Sequence, residues 1–591
     1  MPQTFDGQSF IRPQVVSRID DSRLVGPNQS SAISLAILGI GLGGQPNTAL
    51  EFTSARDARR TLRGGELLTA VERAYGPGAN LQGAYRILAV RVNPATQSTL
   101  NLVDASAGQA IVLTSVDWGS HTAQIGVKIE EASINVPTPT IATAKKITVF
   151  KQGTASTPYT EVVRDNVNRP ALTVLYTGAG TTCTLTIVPG TSVATTSDVT
   201  GDQISLNLTL PQYSTLAAVR DAFNTFGGGG KYTCSVAGPN ELASSATIDS
   251  VTAQTIKTVA YTTRADLAAQ LDFFNSEAAD LVVATKGSAG TKPAAQLTTP
   301  LFLSGGGEGS TTNTNWQSAL DTLASEDVQI VVPVTGDATL HAMVNTHCQT
   351  LSSSQYKRER VAIVGGVAGE NVTQAKNRAT ALSSDRVQLV YPGLTDYATD
   401  NSGALVTVPP YLVAAQKAGI NAALGYANSA THSTLGGRGV ELVATPSQLD
   451  DLTYYGTCAI EKVNNRGFQI VQDITTWQTD QKFTRRELST RMAIDFVART
   501  LRDTLDTYIG QTNGPGLSSA IQADMVTALN QLTAQGILVG GASTPSYSGL
   551  TVSAVGDRVE VSLQVSVAVP ANFFFITIYP TVFSSPLPEA R

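Results

Sequence analysis

Between residues 316 and 424 the chain switches repeatedly between two hydrophobic periods. The runs VQIVVPV (328–334), RVAIVGG (360–366) and RVQLVYP (386–392) are short and apolar throughout. Segments of helical period separate and flank them, at 316–324, 338–351, 373–382 and 411–424. A strand that is apolar on both faces needs cover on both sides, and parallel strands need a crossover between them. This spacing therefore predicts a mostly parallel sheet with helices on both faces. The same texture occurs once earlier, as a strand at 33–40, helices at 54–62 and 66–75, and a strand at 85–92. The two stretches together predict one split α/β core domain, 31–105 and 303–450.

What interrupts the core has another texture. From about residue 100 to 300, Thr, Ser, Val and Gly dominate, and alternating runs such as KKITVF, CTLTIV and ISLNLTL lie between turn residues. That predicts a β-rich insertion over 106–302 with one helical piece near 215–226. From 451 to 569 an α+β C-terminal domain is expected. It opens with a hairpin at 457–474 turning at NNRG. A long helix follows, with Thr484 and Glu487 in capping-box spacing and a stripe of Ile494, Val497, Leu501, Leu505 and Tyr508. A second helix, about 518–535, stops at Gly536. In RVEVSLQVSVAV, Val559, Val561, Leu563, Val565 and Val567 alternate with polar residues, which predicts a strand with one buried face. FFFITIYP (573–580) reads as a further strand, so apolar that it needs a partner to avoid aggregation. Residues 1–30 and 570–591 complete the expected fold class: a multidomain α/β chain whose sheet core is interrupted by a β-rich insertion, with an α+β C-terminal domain and extended N- and C-terminal strand arms.

Charge narrows the partners. Of 591 residues only 15% are charged, the net charge is -6, and no Lys/Arg tract occurs, so nucleic acid is not expected as a partner. The apolar run 32–42 falls short of the roughly 20 residues that cross a bilayer, and no membrane insertion is expected. Cys183, Cys234, Cys348 and Cys458 are far apart and read as reduced thiols.

Two glycine motifs invite a nucleotide reading. Gly39, Gly41 and Gly44 spell G-x-G-x-x-G, but the helix that the fingerprint must open is delayed past Pro46 to about Ser54. Gly365, Gly366 and Gly369 do stand between a strand and a helix, with Val364 in place of the first glycine. His341 and His347, six apart on a helix, point to different faces and share no metal. No cofactor, metal or catalytic residue is assigned. Arg491, Arg499 and Arg502 lie opposite the helix stripe, each with an acid four residues on (Asp495, Asp503, Asp506). They are either a solvated face of weak i,i+4 pairs or an electrostatic docking surface.

In order along the chain, SFIRPQVVSRI, ILGIGLGGQPN with EFTS, LRGGELLTAVERAY, YRILAVRVN, LSGGGEGSTT, VPVTGDATLHAMVNTHC, RVAIVGG and VQLVYPG resemble the tail sheath proteins of contractile-tailed bacteriophages. The closing hairpin, helices and strand match in order too, while 110–300 match loosely. The arm departs from the family pattern, with Gln14-Val15-Val16 after Pro13. The resemblance implies a non-enzymatic structural subunit that polymerises as a helical stack of six-fold rings around a tail tube and shortens to drive it through the host envelope. Its partners are then copies of itself, the tail tube protein, and baseplate and tail terminator proteins. Its place is the virion tail, assembled in the host bacterial cytoplasm. Arms are implied to add strands to a neighbour's sheet, through Phe10, Ile11, Val15, Val16 and Ile19 at one end and Phe573, Phe575, Ile576 and Ile578 at the other. The receiving sheet is implied to hold Ile460, Val463, Phe468, Ile470, Val561, Leu563 and Val565, and the helix with Arg491, Arg499 and Arg502 to face the tube. The alternatives are the sheath of a non-phage contractile injector, or an α/β nucleotide-dependent oxidoreductase.

Overall fold

The computed structural model describes residues 3–5, 8–10, 33–78, 83–132, 144–152, 158–238, 240–398, 403–480, 482–512, 514, 516–541 and 543–580. By internal contacts the chain divides into two units, one of residues 1–41, 47–92 and 312–591, the other of 42–46 and 93–311.

The first unit is built on a nine-stranded sheet. Its order in space is Thr434–Leu435, Gly467–Ile470, Thr457–Val463, Val387–Tyr391, Val361–Gly365, Ile330–Pro333, Ser34–Gly39, Arg86–Arg91 and Ala49–Phe52. The six strands from Thr457–Val463 to Arg86–Arg91 are parallel, and antiparallel strands close each side. Alternate side chains serve opposite faces. Leu35, Ile37, Ile330 and Val332 enter the core beneath helices Glu66–Tyr75 and Pro410–Leu424. Ala36, Leu38, Val331 and Val364 enter the one beneath Asn313–Ala324, Ala338–Leu351 and Val372–Leu382. Helix Pro410–Leu424 is buried almost all round, and Gly419 is the reason it fits. A Cβ there would stand 2.1 Å from the Ala74 carbonyl oxygen on the neighbouring helix.

Pairing joins the two α/β stretches in one sheet: Ile330 to Pro333 register with Leu35 to Leu38. It also moves two expected boundaries. Strand Thr99–Val103, read as core, pairs with Gln109–Ser115 inside the second unit, because hairpin partners need not share the composition that marked the insertion. Hairpin Thr457–Val463/Gly467–Ile470, read as the start of a separate C-terminal domain, continues the central sheet through Leu389–Thr457 register. Helix Leu488–Asp506 also begins later than expected. Thr484 lies in a short separate helix, Phe483–Arg486, and Glu487 is the N-cap residue rather than the third residue of a turn. The buried face of the long helix is Met492, Ala493, Phe496 and Val497, rotated from the expected stripe, of which only Val497 is fully buried. Helix Leu517–Ala534 ends as expected before Gly536, whose φ is +73°.

The second unit holds two cores. One lies among Thr99–Val103, Gln109–Ser115, Val282–Lys286 and the sheet of Ile125–Glu131, Lys145–Gln152 and Pro158–Val167, with helix Asp266–Ser276. The other lies between sheets around Pro170–Tyr176 and Cys183–Val188, closed by helix Leu216–Thr225. These strands are antiparallel throughout.

Candidate functional site

A doubly wound sheet binds ligands outside the carboxyl ends of its strands, where the strand order reverses. Here that point lies between Ser34–Gly39 and Ile330–Pro333, and the chain's own groups fill the places a phosphate needs. Gly39 is so close to Val334 that a Cβ would meet its Cβ at 2.9 Å, and the Leu67 amide donates to the Ile40 carbonyl. After Gly39 the chain runs into strand Ala49–Phe52, and no helix begins until Ala55. In the second glycine loop, a Glu370 carboxylate oxygen lies 2.0 Å from where a Gly366 Cβ would stand, and the Gly369 amide donates to Glu441. Glu370 is itself paired to Arg378. Two carboxylates therefore occupy the anion cradle. His341 is buried against the Thr335 carbonyl at 2.8 Å, and burial pulls its pKa down to about 4. Asp337 caps the same helix by accepting from the Thr339 amide.

The arginines of the long helix spend their charge inside the first unit. Arg491 pairs with Asp495 at 3.2 Å and Asp385 at 3.4 Å. Arg499 pairs with Asp327 at 2.9 Å and donates to the Glu359 carbonyl, and Arg502 meets the Glu359 carboxylate at 2.6 Å. Asp327, Glu359 and Asp385 each stand just before a strand of the parallel sheet. The helix is thus stapled across the starts of those strands, and Arg386 adds a buried pair with Asp495. Arg491 pairs with the acid four residues on, and Arg499 and Arg502 reach acids outside the helix. Asp327 is exposed and its pair is worth little, but Glu359 is buried against both arginines, so the Arg499→Glu/Arg502→Glu variant, which sets two carboxylates against it, should lose about 2–4 kcal/mol. Urea unfolding of the unassembled chain measures it.

The receiving sheet expected from the resemblance is two sheets here. Ile460, Phe468 and Ile470 are core residues of the central sheet, with half-buried Val463 at the hairpin tip. Both edges of that hairpin are taken, by Val387–Tyr391 and by Thr434–Leu435. Val561, Leu563 and Val565 belong to a separate ribbon, Tyr547–Val555 paired with Arg558–Val565. Leu550 and Leu563 press the ribbon onto the core that includes Leu529 and Leu532 of helix Leu517–Ala534. Val565 lies 38% exposed, and among the described residues neither strand has a second partner.

From the ribbon the chain is held at three successive points. Ser566 accepts from the Val539 amide at 2.9 Å, and the Ala568 amide donates to the Ile537 carbonyl at 2.9 Å. Asn572 donates its side-chain amide to Glu487 at 2.7 Å. Beyond it no strand forms through Pro580. Phe573, Phe575, Ile576 and Ile578 are 75%, 95%, 83% and 80% exposed. The strand expected at 573–580 is therefore absent from the single chain, because a strand needs a ladder and this segment has none. Phe10 lies in a short strand, Gln8–Phe10, paired with Gln3–Phe5. Ile11, Val15, Val16 and Ile19 lie outside the described residues.

Glu487 and Asn572 went unassigned in the sequence, since Glu487 read as a cap and nothing marked Asn572. The buried pair of Lys417 and Asp473 was also missed, although a lone Lys in YLVAAQKAGINAAL (411–424) is a visible signal.

No protein-family model matches the chain. It is 29% identical over 592 aligned residues to the tail sheath protein of Bacillus phage SP01, covering 97% of this chain and 96% of that one. It is 26% identical to the tail sheath protein of Staphylococcus phage Twort, covering 86% and 87%. Its fold matches the solved sheath tail protein of Listeria innocua with a TM-score of 0.55 at 12% identity, covering 92% of this chain and 94% of that one. From end to end, this multidomain mixed helix and sheet chain is a homologue of the phage tail sheath proteins.

Proposed function

We propose that this chain is a structural subunit of a contractile tail sheath that polymerises around a tail tube and shortens to drive it through the host envelope. The observation that carries the reading is alignment over nearly the whole chain with a phage tail sheath protein. The free apolar tail and the open-edged ribbon support it physically. Six large apolar side chains of residues 573–579 are at least 75% exposed, which a monomer tolerates poorly. Strand addition to a neighbouring copy supplies what both lack, a ladder for the tail and a partner for the ribbon edge. Repeated from copy to copy, such a heterologous contact propagates without closing. Domains tied only by extended segments then stay free to rotate as rigid bodies during shortening.

The chain is thus read as non-enzymatic and as a component of the virion tail, with copies of itself, the tube and the baseplate as partners. Whether the long helix faces the tube is a separate proposal, and its arginines are already engaged within the chain. Purified protein viewed by negative-stain electron microscopy is expected to form tubes or rings. Monomers at every concentration, together with a melting temperature raised by NAD(P), would instead favour the nucleotide enzyme.

A further inference from the structure

The chain changes character at one residue. Up to Asn572 the chain after the ribbon is tied to the rest of the first unit, and from Phe573 onward every side chain through Tyr579 is exposed. The group at that boundary is Glu487, which is 1% exposed. One of its carboxyl oxygens accepts two hydrogen bonds, from the Gln472 amide at 2.6 Å and from the Asn572 amide at 2.7 Å. The other oxygen is buried with no hydrogen-bond partner. A second tie, from the Thr490 hydroxyl to the Ala568 carbonyl at 3.4 Å, lies one helical turn on. The root of the tail is thus fastened to the first turn of helix Leu488–Asp506.

We propose that Glu487 is a proton-dependent latch on the root of the C-terminal tail, closed on Asn572 when its carboxyl is neutral and opened when it ionises. The chemistry follows from the unpartnered oxygen. A neutral carboxyl keeps its carbonyl oxygen for both amides, carries its proton on the unpartnered oxygen and buries no charge, leaving one unpaired O–H at a smaller cost than an unpaired charged oxygen. An ionised one leaves a charged oxygen in a closed site without a donor, which opening to water relieves. The charged groups around it are few. Asp473 is buried close by and repels the ionised form, though its own charge is neutralised by Lys417, while adjacent Arg486 favours ionisation. Burial dominates and raises the Glu487 pKa to about 7, with Asp473 adding to the rise and the two amide bonds opposing it.

The direction of the pH effect is then fixed. The carboxyl is raised in the closed state and near its ordinary value of about 4.3 in the open one. The closed state is fully favoured below that ordinary value, and this preference is lost as pH rises through about 7. The opening equilibrium should grow about tenfold per pH unit across that window and level off above it. At neutral pH the tail root is loosened and can reorient toward a neighbour, and in mild acid it is held.

The consequence for assembly rests on the strand-exchange reading, whereas the latch itself does not. The four native cysteines are buried, so exposed Ala571→Cys in the full chain accepts a single fluorescent label. Measured below the concentration at which tubes form, its anisotropy should fall between pH 5 and pH 7.5. In Glu487→Gln, which keeps the carbonyl acceptor but cannot ionise, it should stay high and flat. In Asn572→Leu, which keeps Glu487, it should be low at both pH values. The same pH profile in Glu487→Gln as in the parent, or a flat parent profile, overturns the latch. If Glu487→Gln fails to fold, high anisotropy of Asn572→Leu at pH 5 overturns it equally. Tail deletion that leaves assembly intact would sink strand exchange while leaving these anisotropy results standing.

Discussion

A chain cut after Asn572 is expected to purify as a folded monomer with an unchanged melting temperature and to form no tubes at any concentration. The removed residues that are described make no strand or helix, and their side chains face solvent, so they contribute little to the fold of the single chain. Their value lies in what they bury elsewhere. Each of the six large apolar side chains contributes about 1.5–3 kcal/mol when taken fully out of water. Ordering the segment costs about 1–2 kcal/mol per residue, so the apolar side chains and the ladder together must exceed that cost. Losing them removes the drive for strand addition without touching either core. Electron microscopy reads the tubes, and differential scanning calorimetry reads the fold. Normal tubes from the cut chain would defeat the strand-exchange proposal. A lowered melting temperature would place the tail inside the fold instead.

The largest stability loss should come from Lys417→Met. Lys417 and Asp473 are both fully buried and ion-paired. The Asp473 carboxylate also accepts from Gln388 at 2.9 Å, Asn421 at 3.2 Å and the Ala430 amide at 3.1 Å. Burial alone would raise the Asp473 pKa, but Lys417 and these donors outweigh it and hold it below the usual carboxylate range. Removing the lysine strands a buried negative charge, at a cost of about 3–5 kcal/mol. Lys417→Met/Asp473→Asn should recover most of that loss, because the charge leaves with its partner. Urea unfolding followed by tryptophan emission suits the test, since Trp316 and Trp477 lie in the first unit. The pH dependence has a definite sign. A depressed carboxylate contributes stability that is present above its unfolded value of about 3.9 and is lost as pH falls through its folded one. In Lys417→Met burial is left without its cation and raises the Asp473 carboxyl, so the loss relative to the parent should be largest near neutral pH and should shrink as pH falls and that carboxyl takes up a proton. An equal loss in the single and double variants would show that the methionine packs badly and that the charge is not the cause.

Local pattern was enough for the parallel sheet. VQIVVPV, RVAIVGG and RVQLVYP are each buried on both faces, and the helices between them carry their own apolar stripes, so period and length alone named them. It was also enough to reject the first glycine fingerprint, because Pro46 and the extended residues after it exclude the required helix start. The tail FFFITIYP was legible as a segment in need of a partner for the same reason, its apolar content. Three things were not legible, and each depends on pairing across long sequence separations. Whether hairpin 457–470 begins a new domain or extends an old sheet is decided by the edge that Val387–Tyr391 offers, some 70 residues earlier. That Asp327 and Glu359 meet Arg499 and Arg502 is decided by where the parallel strands start, which places both acids beside the helix. Finally, a single glutamate becomes a latch only when folding closes a dry site around one of its oxygens. Sequence periodicity reports which side of an element is apolar. Desolvation, register and the identity of a distant partner arise only when the elements meet.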